Sequence, residues 1–342
     1  MLPLIYPGDG IAQAIMDDVQ QAPIPDCHKA MFRWVERFTR CSWNMTERDV
    51  EGLRVHALSD SDIVNWAQIA SLQTWWVMSS DGGGVPLEAE AVTGSAIGRL
   101  REVYQASAEG LTAGTLDAPA RRELPAPAGV AWVATDGESE AYRAAVRWAT
   151  SRYGFVPNLM RAVSLRPEVY PRHQLALELL EHPQSQSLSQ RHHAMVRALV
   201  SSLNRCVYSA GTTRQLLERV SGDERLYSWV TDRYADRDWG LQDRVVLDFA
   251  AKLARNAYKV TEQDAQSFRD CGLDDEAYID VLNTVAIQTS LDRLANSLGV
   301  SPDAEPLLPE RGAGRDYSVS APAFRDGEEY PVKGRDATAR SQ

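Results

Sequence analysis

The sequence predicts an all-α protein, and three observations carry that expectation. Apolar residues recur at helical period along most of the 342-residue chain, helix N-cap signatures precede several of these runs, and only one short stretch reads as extended. The apolar fraction of 44% and charged fraction of 24% are those of a globular chain. Its length favours two domains over a single core.

Taken in order, the run TERDVEGLRVHA at 46–57 opens with Thr46 followed three residues later by Asp49, the spacing of a capping box. SDSDIVNWAQIASLQTWWVM at 59–78 repeats that spacing with Ser59 and Asp62, then places Ile63, Trp66, Ile69 and Ala70 at helical period. Within it, Trp75 and Trp76 point to different faces, so that one can be buried while the other meets a partner or cavity. GVAWVAT at 129–135 is the short extended piece. SQRHHAMVRALVSSLN at 189–204 carries Met195, Leu199 and Leu203 in four-residue steps. NRCVYSAGTTRQ at 204–215 reads as a helix whose Cys206, Ser209 and Thr213 share one face. DRVVLDFAAKLARNAY and DEAYIDVLNTVAIQTSLDRLANSLG complete the helical pattern. Residues 107–129, rich in Ala, Pro and Gly, read as a linker, and 309–342 as a solvated tail, with docking through Tyr317, Phe324 and Tyr330 as the alternative.

The chain also aligns with itself. A shift of 215 positions lays residues 31–85 over 246–300 without a gap, with 11 identities including Thr46, Glu47, Asp49, Arg54, Asp60, Gln73, Thr74, Gly84 and Val85. This points to duplication. Met1 falls opposite Leu216 at this offset, so the first copy has no counterpart of the Cys206 helix. The expected organisation is a truncated first repeat over 1–90, a helix and linker over 91–135, a full repeat over 136–305 and a tail over 306–342.

Composition narrows the functional classes. The net charge of −11 argues against a nucleic-acid partner, and no apolar run has the length of a membrane span. Four scattered cysteines, Cys27, Cys41, Cys206 and Cys271, fit a reducing cytoplasm better than a disulfide framework. The opening MLPLIYPGDG lacks the basic n-region of a signal peptide. No Cys/His spacing fits zinc, and adjacent His192 and His193 project about 100° apart on a helix, a poor metal clamp. Neither a metal nor a cofactor is expected.

YGFVPNLMRAVSLRPEVY at 153–170, LSQRHHAMVRALVSSLNRCVYS at 188–209 and the segment from Leu241 to Val300 stand in an order that resembles the alkylhydroperoxidase D-like, carboxymuconolactone decarboxylase superfamily, in its peroxidase-related branch. The resemblance covers residues 138–305, with the first copy like the latter half of the same domain. It implies a helical bundle of that type, duplicated with an incomplete first copy, and assembly through helical faces into a homodimer or larger oligomer. Peroxidatic members use a Glu, then Cys-x-x-Cys, then a His, a chemistry that needs two sulfurs within one helical turn and a tuned base. On this chain those roles fall to Ala194, Cys206, Ser209 and Thr213. Only the first sulfur remains, which excludes a two-cysteine cycle in this helix.

Arg191 and Arg197 flank Ala194 at three residues on either side, either as a basic rim for an anionic substrate or as solvated side chains. His193 is a candidate acid or base. Tyr208 and Trp229 are read as pocket lining or as core packing, and Cys206 as a reactive thiol or a small buried hydrophobe. Three functions follow. The favoured one is a small-molecule enzyme of lyase, isomerase or cyclase type in a remodelled interhelical pocket, because Ala, Ser and Thr are small replacements. The alternatives are a single-cysteine hydroperoxide reductase using Cys206 and a non-catalytic binding or scaffold protein.

Overall fold

The computed structural model describes residues 10–85 and 129–304, apart from 136, 168, 171–172, 174–175 and 177–186. The linker at 107–128 and the tail at 306–342 lie outside the described residues. Twelve α-helices and two 3₁₀ turns make up the described secondary structure, with no strand among them. They are α1 (Ile11–Asp17), α2 (Asp26–Cys41), α3 (Glu47–Arg54), α4 (Asp60–Gly82), α5 (Glu140–Tyr153), α6 (Asn158–Ala162), α7 (Gln190–Leu203), α8 (Val207–Ser221), α9 (Leu226–Asp232), α10 (Leu241–Asn256), α11 (Glu262–Asp270) and α12 (Asp275–Ser297). The fold is all-α.

The stretch 129–135, expected to be extended, forms no strand. Its backbone instead docks on the end of α12, where Trp132 N–H donates to Leu298 O and Ser301 N–H donates to Val130 O. Gly299 permits this approach: it has φ 62°, and a Cβ there would stand 2.1 Å from the Trp132 ring.

The offset of 215 carries one helical motif onto another. α2 and α10 begin and end at matching positions, as do α4 and α12, and the 3₁₀ turns Ser42–Asn44 and Ala257–Lys259 match as well. The contacts repeat too. Thr46 and Thr261 N–H each donate to the Asp three residues on at 2.7 Å. Arg54 pairs with Asp60 at 2.8 Å and Arg269 with Asp275 at 2.8 Å. Arg37 meets Asp49 at 2.8 Å where Lys252 meets Asp264 at 2.7 Å. Buried core positions correspond as well, Trp34 and Phe38 against Phe249 and Leu253.

α4 and α12 pack antiparallel at the centre. Ser71 Oγ donates to Ser290 O at 2.9 Å, and the Tyr278 hydroxyl donates to Gly82 O, so contacts along one helix run in reverse order along the other. One apolar cluster joins α2–α4 to α5, α6 and the later half of α12, and a second joins α7, α10 and the earlier half of α12. The symmetry breaks on one face. Thr284, Gln288, Leu291 and Asp292 of α12 are buried against its neighbours, whereas their equivalents Ile69, Gln73, Trp76 and Val77 on α4 are exposed, Trp76 to 62%. Trp75, by contrast, is half-buried against the core.

Candidate functional site

The α7–α12 contact is lined with polar side chains. The two helices run side by side in one direction, and three pairs bridge them at four-residue steps. His193 Nδ1 meets Thr284 Oγ1 at 3.0 Å, Arg197 Nε donates to Gln288 Oε1 at 2.9 Å, and Ser201 Oγ donates to Asp292 Oδ1 at 3.3 Å. All six side chains are buried. Gln288 Nε2 also donates to Asp292 Oδ1 at 2.8 Å, and Asn204 Nδ2 donates to Asp292 Oδ2 at 3.0 Å.

Asp292 is the centre of this network and has no solvent exposure. Burial raises its pKa, opposed by the hydrogen bonds from Ser209, Asn204, Gln288 and Ser201. Burial likewise lowers His193 to about 4, with the Arg197 and His192 charges adding to the effect. His193 is therefore neutral near pH 7.

The thiol helix begins three residues later than the stretch 204–215 that the sequence indicates. Arg205 takes a left-handed φ of 50°, Cys206 is the N-cap residue, and α8 starts at Val207. Cys206, Ser209 and Thr213 nonetheless come together. Cys206 Sγ lies 3.5 Å from Ser209 Oγ, and Thr213 Oγ1 donates to Ser209 O at 2.9 Å. Cys206 is only 2% exposed. Burial and the Asp292 charge push its thiol pKa well above the ordinary value, the reverse of what an attacking thiolate requires.

The remaining expected residues divide. Arg197 does face this network, but Arg191 leaves it. Arg191 makes a bidentate pair with Asp243 of α10 at 2.7 and 2.9 Å, so the expected two-arginine rim around Ala194 does not form. Ala194 is buried in the apolar cluster between α7 and α10. Tyr208 is buried in the other cluster, its pKa raised by burial and by the nearby Tyr170 and Asp303. Trp229 lies away from the network, on the wall of a surface cavity of about 620 Å³ with Asp223, Arg225 and Arg237.

Asp292, Gln288 and Asn204 were not among the sequence candidates. Thr284, Gln288 and Asp292 stand four apart in sequence, on a helix whose residues are mostly buried. Among the described residues, no group of three or more His, Cys, Asp or Glu side chains is arranged to hold a metal ion. No described helix is long and apolar enough to cross a membrane.

The fold and site together define an all-α protein with a buried carboxylate–amide–hydroxyl network at the N-terminus of its thiol helix. No family model matches the sequence, and no curated protein matches it. Among solved structures, the chain is similar to an uncharacterized peroxidase-related protein from Silicibacter sp. TM1040, at 25% identity over 53% of this chain and 91% of that one, with a TM-score of 0.45. It is also similar to the alkylhydroperoxidase AhpD core of an uncharacterized peroxidase-related protein from Ralstonia eutropha JMP134, at 22% identity over 52% of this chain and 94% of that one, with a TM-score of 0.46.

Proposed function

We propose that the chain is a divergent alkylhydroperoxidase D-like protein that acts on a small molecule by acid–base chemistry of lyase, isomerase or cyclase type. The observation that carries this reading is Asp292, a fully buried carboxyl with a raised pKa, set among Arg197, Gln288 and Ser209. A buried carboxylate is costly to a fold, and groups of this kind concentrate where protons are moved. In this reading Asp292 transfers the proton, Arg197 and Gln288 orient an anionic carbonyl compound, and no cofactor takes part. The raised thiol pKa of Cys206 weighs against the single-cysteine reductase. The closure of the network, with Asp292 wholly shielded, favours the scaffold reading as the second possibility.

The accompanying organisation is a truncated repeat over 1–90, a connecting region over 91–135, a full repeat over 136–305 and a tail over 306–342, supported by the correspondence of elements at an offset of 215 residues. A homodimer is part of the same proposal, supported by the exposed apolar stripe of Ile69, Trp76 and Val77. A cytoplasmic location is proposed on cysteine usage alone.

The test is incubation of the protein in D₂O with a panel of small keto acids, enones and lactone acids, read by NMR. Turnover or deuterium uptake that disappears in Asp292→Asn supports the enzyme. Absence of any turnover or thermal stabilisation across the panel supports the scaffold.

A further inference from the structure

At the start of α7, away from the Asp292 network, three side chains form a relay. Ser189 Oγ lies 3.0 Å from His192 Nδ1, and His192 Nε2 lies 2.8 Å from Asp243 Oδ1. The partners assign the tautomer. The Asp243 carboxylate accepts from Nε2–H, which leaves Nδ1 free of a proton and able to accept one from the serine hydroxyl. Ser189 is exposed while His192 is buried, so the hydroxyl is reachable and the base is sheltered. Arg191 clamps Asp243 from the other side. Burial works to raise the Asp243 pKa, but the hydrogen bonds from His192 and Arg191 and the Arg191 charge hold the carboxyl well below the usual range.

An open surface cavity lies between the C-terminal end of α8 and the segment that joins α9 to α10. It is the 620 Å³ space lined by Gly222, Asp223, Glu224, Arg225, Trp229 and Arg237. The Asp223 carboxylate on its wall acts electrostatically on Arg191, and Arg244, next to Asp243, donates to Arg237 O at 2.6 Å. Arg191 and Arg244, the chain neighbours of His192 and Asp243, thus connect the relay to residues of the cavity wall.

We propose that Ser189, His192 and Asp243 form a second site that hydrolyses small carboxylic esters held in this cavity. Ser189 Oγ attacks the ester carbonyl carbon as its proton passes to His192 Nδ1. The C–O bond to the alcohol breaks, and His192 returns the proton to the leaving oxygen. Water, deprotonated by the same nitrogen, then releases the acid and regenerates the serine, with no redox change. The N–H groups of Gln190 and Arg191 precede the first intrahelical bond, from His193 N–H to Ser189 O, and the proposal assigns them to the developing oxyanion. His192 and Asp243 follow the roles of base and orienter. Ser189 also caps α7, accepting the His192 backbone N–H at 3.2 Å.

The experiment is labelling of the full chain with a fluorophosphonate, located by peptide mass mapping, alongside hydrolysis of p-nitrophenyl butyrate. The expected result is a single adduct on Ser189, absent in Ser189→Asn, which keeps a capping oxygen but loses the hydroxyl. His192→Gln should slow labelling and ester turnover by at least about a hundredfold, with the melting temperature of each variant confirming that it folds. A chain that takes no label at Ser189, or labelling that His192→Gln leaves unchanged, would overturn the proposal and leave Ser189 a helix cap.

Discussion

Gln288 donates to Asp292 at 2.8 Å, one turn apart on α12, and both side chains are buried where that helix meets α7. The amide satisfies one carboxylate oxygen, but it brings no positive charge to offset the desolvation. The balance therefore raises the pKa of the acid.

A pH dependence with a definite sign follows. The folded Asp292 pKa is raised, so its contribution to stability is complete below the ordinary carboxylate value of about 4 and is lost as pH rises through the folded value. Asp292→Asn does not titrate. Its melting temperature should gain on wild type as pH is raised from about 4.5 to about 8, measured by calorimetry at matched salt. A constant difference across that range would show that Asp292 is not the group responsible.

Asp60 should behave in the opposite sense. Burial pushes against ionisation, yet hydrogen bonds from Arg54 and from Ala134 N–H hold its pKa below the ordinary value, so its contribution is present above that value and lost on acidification. Asp60 accepts Ala134 N–H at 2.7 Å, and its partner Arg54 donates to Trp132 O at 2.8 Å, links the repeat's other ion pair lacks in its more exposed setting. Asp60→Asn should lower the melting temperature more than Asp275→Asn at neutral pH, with the gap closing in acid.

The two repeat glycines make a matched pair. Gly84 and Gly299 both have left-handed φ, at 60° and 62°, but only at Gly299 would a Cβ meet a ring, that of Trp132. Gly84→Ala should cost about 1–2 kcal/mol from backbone conformation. Gly299→Ala should cost a further ~1–3 kcal/mol from overpacking, read from urea unfolding midpoints.

Cys206 should be the slowest thiol in the native protein. It is buried, whereas Cys27, Cys41 and Cys271 are half-buried. Iodoacetamide labelling near pH 8, followed by mass mapping, should reach Cys206 only on unfolding. Rapid modification there, or fast oxidation by dilute hydroperoxide, would restore the single-cysteine reductase.

Helix boundaries were legible because their causes are local. Thr46 and Asp49 lie three residues apart and cap α3 whatever the rest of the chain does, and Ser59 with Asp62 caps α4 in the same way. The correspondence between residues 31–85 and 246–300 shows in the sequence because caps, ion-pair partners and core residues recur there, even at 11 identities in 55 positions. The extended piece at 129–135 was misread because its continuous apolar run serves to seat Trp132 over Gly299 rather than to pair strands.

The candidate site was legible only in part. The sequence by itself determined the side-chain chemistry at Ala194, Ser209 and Thr213, none of which can form a sulfenic acid or accept a proton near neutral pH in any fold. It also placed Cys206, Ser209 and Thr213 together, because one helical turn is a local distance. Only the tertiary structure decided that Arg191 turns to Asp243 while Arg197 turns to Gln288, that His192 and His193 meet different helices, and that Asp292 is shielded where its equivalent Val77 is exposed. The reason is physical. Spacing along a helix sets the direction in which a side chain leaves it, but desolvation and pairing depend on which distant helix arrives on that side.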